Sequence, residues 1–264
     1  MRSRSDTDFF DLPWPRVIAH RGASGTYPEN TVPAFHAANK IGAPYIELDV
    51  HMTRDGEVVV IHDEDLHRVA GHEGRIAEMT LAEVKQADAG HNFSPIGRTG
   101  FPFRGQGIRV PTLTEVFNAF PQQRFIVEIK PAASSIVSAA LDVVKRTGMS
   151  RRVMIVSEHQ APVDAVRTLA PRIPTNLTAE EVGAFVLSLP PGSAPYRPRG
   201  KALQIPPEHL GWKLVTPANV AAAHQVGLEV HVWTINDVAQ MSALIALGVD
   251  GIMSDFPERL LQII

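Results

Sequence analysis

The chain has 264 residues, 44% hydrophobic and 20% charged, which describes one globular domain with a full core and excludes a disordered or fibrous chain. A net charge of −3 gives no electrostatic reason to expect nucleic acid as a partner. The absence of cysteine excludes disulfides, thiolate metal sites and a cysteine nucleophile, so any metal must be held by Asp, Glu or His.

The first eight residues are polar and lack the apolar core of a signal peptide, and no apolar run is long enough to span a membrane. A cytoplasmic protein is the expectation. Phe9, Phe10, Leu12 and Trp14 follow, and the expectation is that they cover one end of the fold. Residues 16–19 form a short apolar strand ending in His20-Arg21-Gly22. Thr31 or Asn30 then caps a helix with Ala34, Phe35, Ala38 and Ile41 on its apolar face, and Gly42 stops it.

The second strand starts at Tyr45. Ile46, Leu48 and Val50 alternate with Glu47, Asp49 and His51, which is strand period with both acids on one face. Asp55-Gly56 signals a tight turn, and the apolar run 58–61 returns to His62-Asp63. The return brings His62 near two carboxylates that repel each other unless a hard cation relieves them. Residues 51–110 read as an inserted subdomain, too long for a connector. A capping box at Thr80-Leu81-Ala82-Glu83 opens a short helix within it.

Regular alternation resumes with a helix over 112–120 and strands over 124–128, 153–156, 173–176, 202–205, 229–233 and 249–253. Helices are expected over 135–146, 161–169, 178–188, 217–226, 237–247 and 257–264, with a proline-rich loop over 190–198. Eight strand–helix units argue for a closed α/β (β/α)8 TIM barrel, and no glycine-rich nucleotide loop competes.

In such a barrel the site lies where the strands end. His20, Arg21, Glu47, Asp49, Glu128, Lys130, Trp233, Ser254 and Asp255 stand at those ends, and the return strand adds His62. Glu47, Asp49 and Glu128 are oxygen donors suited to Mg²⁺ or Ca²⁺. Arg21 and Lys130 suit a phosphate, and His20 and His62 can move protons near neutral pH. Together they describe a phosphodiesterase. Glu29 reads as structural, Asp63 as an orienter of the His62 loop and Trp233 as a lining of the mouth. His51, His67, His72 and His91 read as solvent or loop histidines.

The segments His20-Arg21-Gly22, Pro28-Glu29-Asn30-Thr31, Glu47-Leu48-Asp49-Val50, Thr53-Arg54-Asp55-Gly56 and Val59-Val60-Ile61-His62-Asp63 resemble the glycerophosphodiester phosphodiesterase family. Val127-Glu128-Ile129-Lys130, Trp233-Thr234-Ile235-Asn236 and residues 248–255 resemble its later motifs. The resemblance implies a TIM barrel with a small insert and hydrolysis of glycerophosphodiesters to an alcohol and glycerol 3-phosphate. It implies His20 and His62 as acid/base pair, Glu47, Asp49 and Glu128 as ligands of a divalent metal, and Arg21 and Lys130 as phosphate contacts. It also implies first attack by the glycerol hydroxyl next to the phosphate, giving a cyclic intermediate that water opens.

The chain departs from the family at Arg68-Val69-Ala70-Gly71-His72, where threonines are common, and at Glu158, which stands where an aromatic commonly follows the serine. The partner implied is a small glycerophosphodiester, with no nucleic acid and no transmembrane segment. Two alternatives stay open. One is a lysophospholipase D touching lipid at its periphery, with Phe93, Phe101, Phe103 and Tyr196 either as an apolar ramp or, preferably, as core of the insert. The other is a non-catalytic phosphate-binding module.

Overall fold

The computed structural model describes residues 8–95, 97–189 and 196–264. Its first half runs β1 (Arg16–Ala19), α1 (Val32–Lys40), β2 (Tyr45–Met52), β3 (Val58–Val60), α2 (His67–Ala70), α3 (Leu81–Val84), α4 (Leu113–Ala119), β4 (Arg124–Ile129) and α5 (Ser135–Arg146). The second half runs β5 (Val153–Val156), α6 (Gln160–Leu169), α7 (Ala179–Leu187), β6 (Ala202–Ile205), β7 (Glu208–His209), β8 (Trp212–Lys213), α8 (Pro217–Gln225), β9 (Glu229–Val232), α9 (Val238–Leu247), β10 (Gly251–Ser254) and α10 (Pro257–Leu261). Among the described residues no helix is long and apolar enough to cross a membrane.

The helix starts follow local chemistry. Thr31 caps α1, and Thr80, Thr112 and Thr178 each form a capping box with the Glu three residues on. The parallel strands run in the order β5-β4-β2-β1-β10-β9-β6. The two open edges meet through residues 175 and 176, which bridge Ile155 to Thr175 and Asn176 to Ala202. The ring is thus a closed TIM barrel. The strand expected over 173–176 shrinks to those two bridges because Pro174 has no N–H to give the ladder; its carbonyl accepts from Ile155 N–H at 3.1 Å.

Strand alternation sorts the core. Ile46, Leu48, Val50, Phe125 and Val127 face outward to Phe35, Phe117 and the helices, while Ile18, Tyr45, Ile126, Met154 and Met253 fill the interior. Gly251 is required in β10, since a Cβ there would stand 2.9 Å from the His231 ring.

The hairpin return is present: Val50, His51 and Met52 pair antiparallel with Val60, Val59 and Val58. Beyond it, Val59, Ile61, Leu66, Ile76, Val84 and Val110 form an apolar cluster apart from the barrel. Phe93 and Phe103 lie outside that cluster, packing on each other at 5.6 Å and, through Phe103, on Tyr27. Tyr196 has no part in the insert; it packs on Phe185 at 5.5 Å, because α7 and not the insert is its neighbour. Most of the loop expected over 190–198 lies outside the described residues. The two-stranded hairpin of β7 and β8 is not visible in the sequence pattern, its strands being two residues each.

Phe9 and Phe10 are buried against the interior residues and close the lower end of the barrel, with Leu12 packed beside them; Trp14 stays half exposed. Arg16 organises this end at 1% exposure. Its Nε and Nη2 fork onto Glu229 at 2.7 and 2.6 Å, and its remaining N–H groups reach the Leu12 and Phe10 carbonyls and the Tyr45 hydroxyl. Burial pushes the Tyr45 hydroxyl up to about 12. Burial would also raise Glu229, but Arg16 and His231 outweigh it and hold the carboxyl at about 2.

Glu229→Gln leaves Arg16 buried and half paired and should cost about 3–5 kcal/mol at neutral pH. A folded value of about 2 against an ordinary 4.5 means the carboxylate's contribution is complete above pH 4.5 and fades as pH falls toward 2. Urea unfolding of both proteins at neutral pH and near pH 3 should show a wide stability gap that narrows in acid.

Candidate active site

The C-terminal ends of the strands open on a cavity of about 460 Å³ lined by His20, Arg21, Glu47, His62, Glu128, Lys130 and Trp233 among others. Glu47 and Asp49 share the inner face of β2 and are 2% and 1% exposed. β4 runs beside β2 with Glu128 opposite Asp49. This register alone gathers three carboxylates whose oxygens lie within 4.8 Å of one another.

So much negative charge is costly to bury, and the loop after β1 answers it. Arg21 has a left-handed backbone (φ 54°), as does Asn30 (φ 57°). That turn aims the Arg21 N–H at Glu47 Oε2 (3.0 Å) and sets its Nε 3.1 Å from Asp49 Oδ2. The amide of Asn30 donates to Asp49 Oδ2 at 2.8 Å. Gly22 makes the loop possible, because a Cβ there would meet the Ala34 backbone at 2.7 Å. From the other side Lys130 Nζ donates to Glu128 Oε1 at 2.9 Å and lies 3.8 Å from Asp49.

The compensation is incomplete. Burial, Asp49 and Glu128 together push the Glu47 carboxyl well above the usual carboxylate range despite Arg21. Glu47 Oε1 is buried and accepts no hydrogen bond from the described residues. Three hard oxygen donors, one of them an orphan, fit a divalent cation such as Mg²⁺ or Ca²⁺ and no soft metal.

The histidines are built alike. His20 Nδ1 lies 2.7 Å from Asp255 Oδ1, and His62 Nδ1 lies 2.7 Å from Asp63 Oδ1. A carboxylate only accepts, so Nδ1 carries the hydrogen and Nε2 is left for the cavity. Asp255 also accepts from Ser24 Oγ at 2.9 Å and Asn236 Nδ2 at 2.7 Å. Burial would raise its carboxyl; those bonds, His20 first, hold it at about 2.

Glu29 accepts from Arg21 Nη1 at 2.8 Å and from both terminal nitrogens of Arg68 at 2.7 Å. Trp233 is 41% exposed and lines the cavity, as does Glu158 at its rim.

The structure therefore brings together His20, Arg21, Glu47, Asp49, His62, Glu128, Lys130 and Trp233, with Glu29, Asp63 and Asp255 behind them; Ser254 is buried, its hydroxyl donating to Asn236 Oδ1 at 3.0 Å. It corrects one reading: His51 is not a solvent histidine. It is 8% exposed and its Nε2–H donates to the His62 carbonyl at 3.0 Å, because the antiparallel return covers it. The sequence reading missed Asn30 as a carboxylate partner, Asn236 and Asp255 as supports of His20, and Arg68. Asp255 carried a signal in its place at the end of the last strand, and Asn30 and Asn236 stood inside family-like motifs without a role of their own.

The chain matches the glycerophosphoryl diester phosphodiesterase family over residues 20–259. It is 33% identical over 255 residues to a glycerophosphodiester phosphodiesterase of Caldanaerobacter subterraneus subsp. tengcongensis, covering 94% of this chain and 97% of that one. A phosphodiesterase of Oleispira antarctica, solved in complex with the product sn-glycerol-3-phosphate, superposes with a TM-score of 0.78 at 26% identity, covering 97% of this chain and 98% of its own. A glycerophosphodiester phosphodiesterase of Agrobacterium tumefaciens superposes with a TM-score of 0.75 at 26% identity, covering 94% and 99%. The protein belongs to the glycerophosphoryl diester phosphodiesterase family.

Proposed function

We propose that the chain hydrolyses glycerophosphodiesters to an alcohol and glycerol 3-phosphate with a divalent cation, using His20 and His62 as the acid/base pair. The observation that carries this is the pair of His–Asp couples opening on one cavity beside three carboxylates. The Oleispira antarctica phosphodiesterase, with its product sn-glycerol-3-phosphate, supports the choice of substrate.

Glu47, Asp49 and Glu128 would hold Mg²⁺ or Ca²⁺, which supplies positive charge against the phosphoryl oxygens. Arg21 and Lys130 flank those carboxylates, and each presents a cation to the substrate phosphate. One imidazole accepts the proton of the attacking hydroxyl at Nε2. The other gives a proton to the leaving alcohol oxygen, so that its P–O bond breaks without releasing an alkoxide. Where the attacking hydroxyl is the glycerol one next to the phosphate, this leaves a cyclic phosphate. Water then adds at phosphorus with the two imidazoles exchanging roles, reopening the ring to glycerol 3-phosphate. Asp255 and Asp63 each hold an Nδ1–H, so that the base offers a bare Nε2 while the acid acts as an imidazolium, with its second proton on Nε2 and its charge facing the carboxylate. Trp233 forms one wall of the pocket. Residues 51–110 act as a subdomain set into a single barrel domain, and their work is to carry His62 and Asp63 over the mouth.

Two measurements test this reading. His20→Ala and His62→Ala should each lower turnover of glycerophosphocholine by roughly 10²–10⁴-fold. Circular dichroism should show both still folded. Near-normal turnover in either variant overturns the acid/base assignment.

Chelation should stop release of glycerol 3-phosphate, and Mg²⁺ or Ca²⁺ should restore it. The same cation should raise the melting temperature of the wild type and leave Glu47→Gln unmoved. Undiminished release after chelation would remove the metal from the mechanism.

A further inference from the structure

We infer that Arg68 is a positioning residue that sets both arms of the site at once. It rests on the reading above, since it acts through His62 and Arg21. Arg68 lies on α2, outside the barrel, at the start of the stretch where the chain departs from the family pattern. Its guanidinium is divided between two carboxylates. Nε donates to Asp63 Oδ2 at 2.5 Å, while Nη1 and Nη2 fork onto the two oxygens of Glu29 at 2.7 Å each.

Each of those carboxylates is also the partner of a residue facing the cavity. Asp63 gives its other oxygen, Oδ1, to His62 Nδ1. Glu29 Oε1 takes Arg21 Nη1 as well as Arg68 Nη2. The path His62–Asp63–Arg68–Glu29–Arg21 therefore joins a proton-transfer group to a phosphate contact through one side chain. It also spans two separate pieces of chain, the loop after β1 and the segment after β3.

The geometry is specific to arginine. Three N–H groups in a fixed plane reach three oxygens on two carboxylates, which an ammonium on a flexible stem does not reproduce. The charge matters as well. Without Arg68, Asp63 and Glu29 would lose the cation they share, and Glu29 would be left with Arg21 alone. Burial would raise both carboxyls; Arg68, with Arg21 at Glu29 and His62 at Asp63, outweighs it and holds both below the usual range. Arg68 is 47% exposed, so its removal opens no core cavity.

The test is a kinetic cycle on the full chain with glycerophosphocholine. Arg68→Met should lower kcat/KM by roughly 10–100-fold, as loss of a support for a catalytic group does. The loss should divide: kcat falls in the manner of Asp63→Asn, and KM rises in the manner of Glu29→Gln. Arg68→Lys should recover part of it. Added to the Asp63→Asn, Glu29→Gln double variant, Arg68→Met should cost less than about 3-fold, because its partners are gone. An equal loss in both backgrounds, or full activity of Arg68→Met, overturns the inference.

A second readout does not need turnover. In ¹⁵N-histidine spectra Arg68→Met should move or broaden the His62 Nδ1–H signal. The His20 signal, held by Asp255, should stay in place. If the wild type fails to hydrolyse glycerophosphocholine, the functional reading fails, but a selective change at His62 still supports the positioning role. Unchanged His62 signals would end it.

Discussion

Three carboxylates held within 4.8 Å at the end of a sheet are the constraint around which the upper half of this protein is arranged. Backbone geometry imposes it. Strand period puts Glu47 and Asp49 on one face, and the parallel register sets Glu128 beside Asp49. No rotamer change on those strands separates the charges by much. The surroundings must answer instead, with Arg21 and Asn30 on one side and Lys130 on the other. Both loop residues take left-handed backbone: Arg21 thereby turns its N–H to Glu47 and its side chain to Asp49, while the Asn30 N–H donates to the Arg21 carbonyl at 3.1 Å and its side-chain amide reaches Asp49.

The lower half solves the opposite problem. There one cation, Arg16, is buried among apolar rings and must find its own counter-charge and acceptors. It finds Glu229, Tyr45 and two backbone carbonyls. The segment carrying those carbonyls also supplies Phe9 and Phe10, so the same contacts that satisfy the charge seat the plug. The barrel thus has a satisfied polar cluster at one end and a deliberately under-satisfied one at the other. Glu47 Oε1, buried with no hydrogen bond from the described residues, belongs to the second.

Much of this was legible in the chain. Alternation fixed which side of β2 carries the acids, Asp55-Gly56 fixed the return of His62, and counting strand–helix units fixed the barrel. What escaped is what periodicity cannot encode. Pro174 reduces a strand to two bridges, a distinction set by one missing N–H rather than by hydrophobic pattern. His51 looked like a polar-face residue open to water until its antiparallel partner covered it. Asn236 reaches Asp255 across two strand ends, and Arg68 meets Glu29 across 39 positions. Such pairings arise from tertiary closure, and no local spacing announces them.

The two histidine couples show how closure divides the labour. His20 and Asp255 both sit at ends of adjacent barrel strands, β1 and β10, so the barrel itself fixes their separation. His62 and Asp63 are sequence neighbours beyond β3, and their place over the mouth depends on how that segment is tied down. Four of its ties are the β2–β3 ladder, the Ile61 N–H to the Asp49 carbonyl at 3.0 Å, the His51 ring on the His62 carbonyl, and Arg68 on Glu29. Three of these run to β2, the strand that carries Glu47 and Asp49. The strand that crowds the carboxylates therefore also sets the height of His62 above them, and a shift in either would move both.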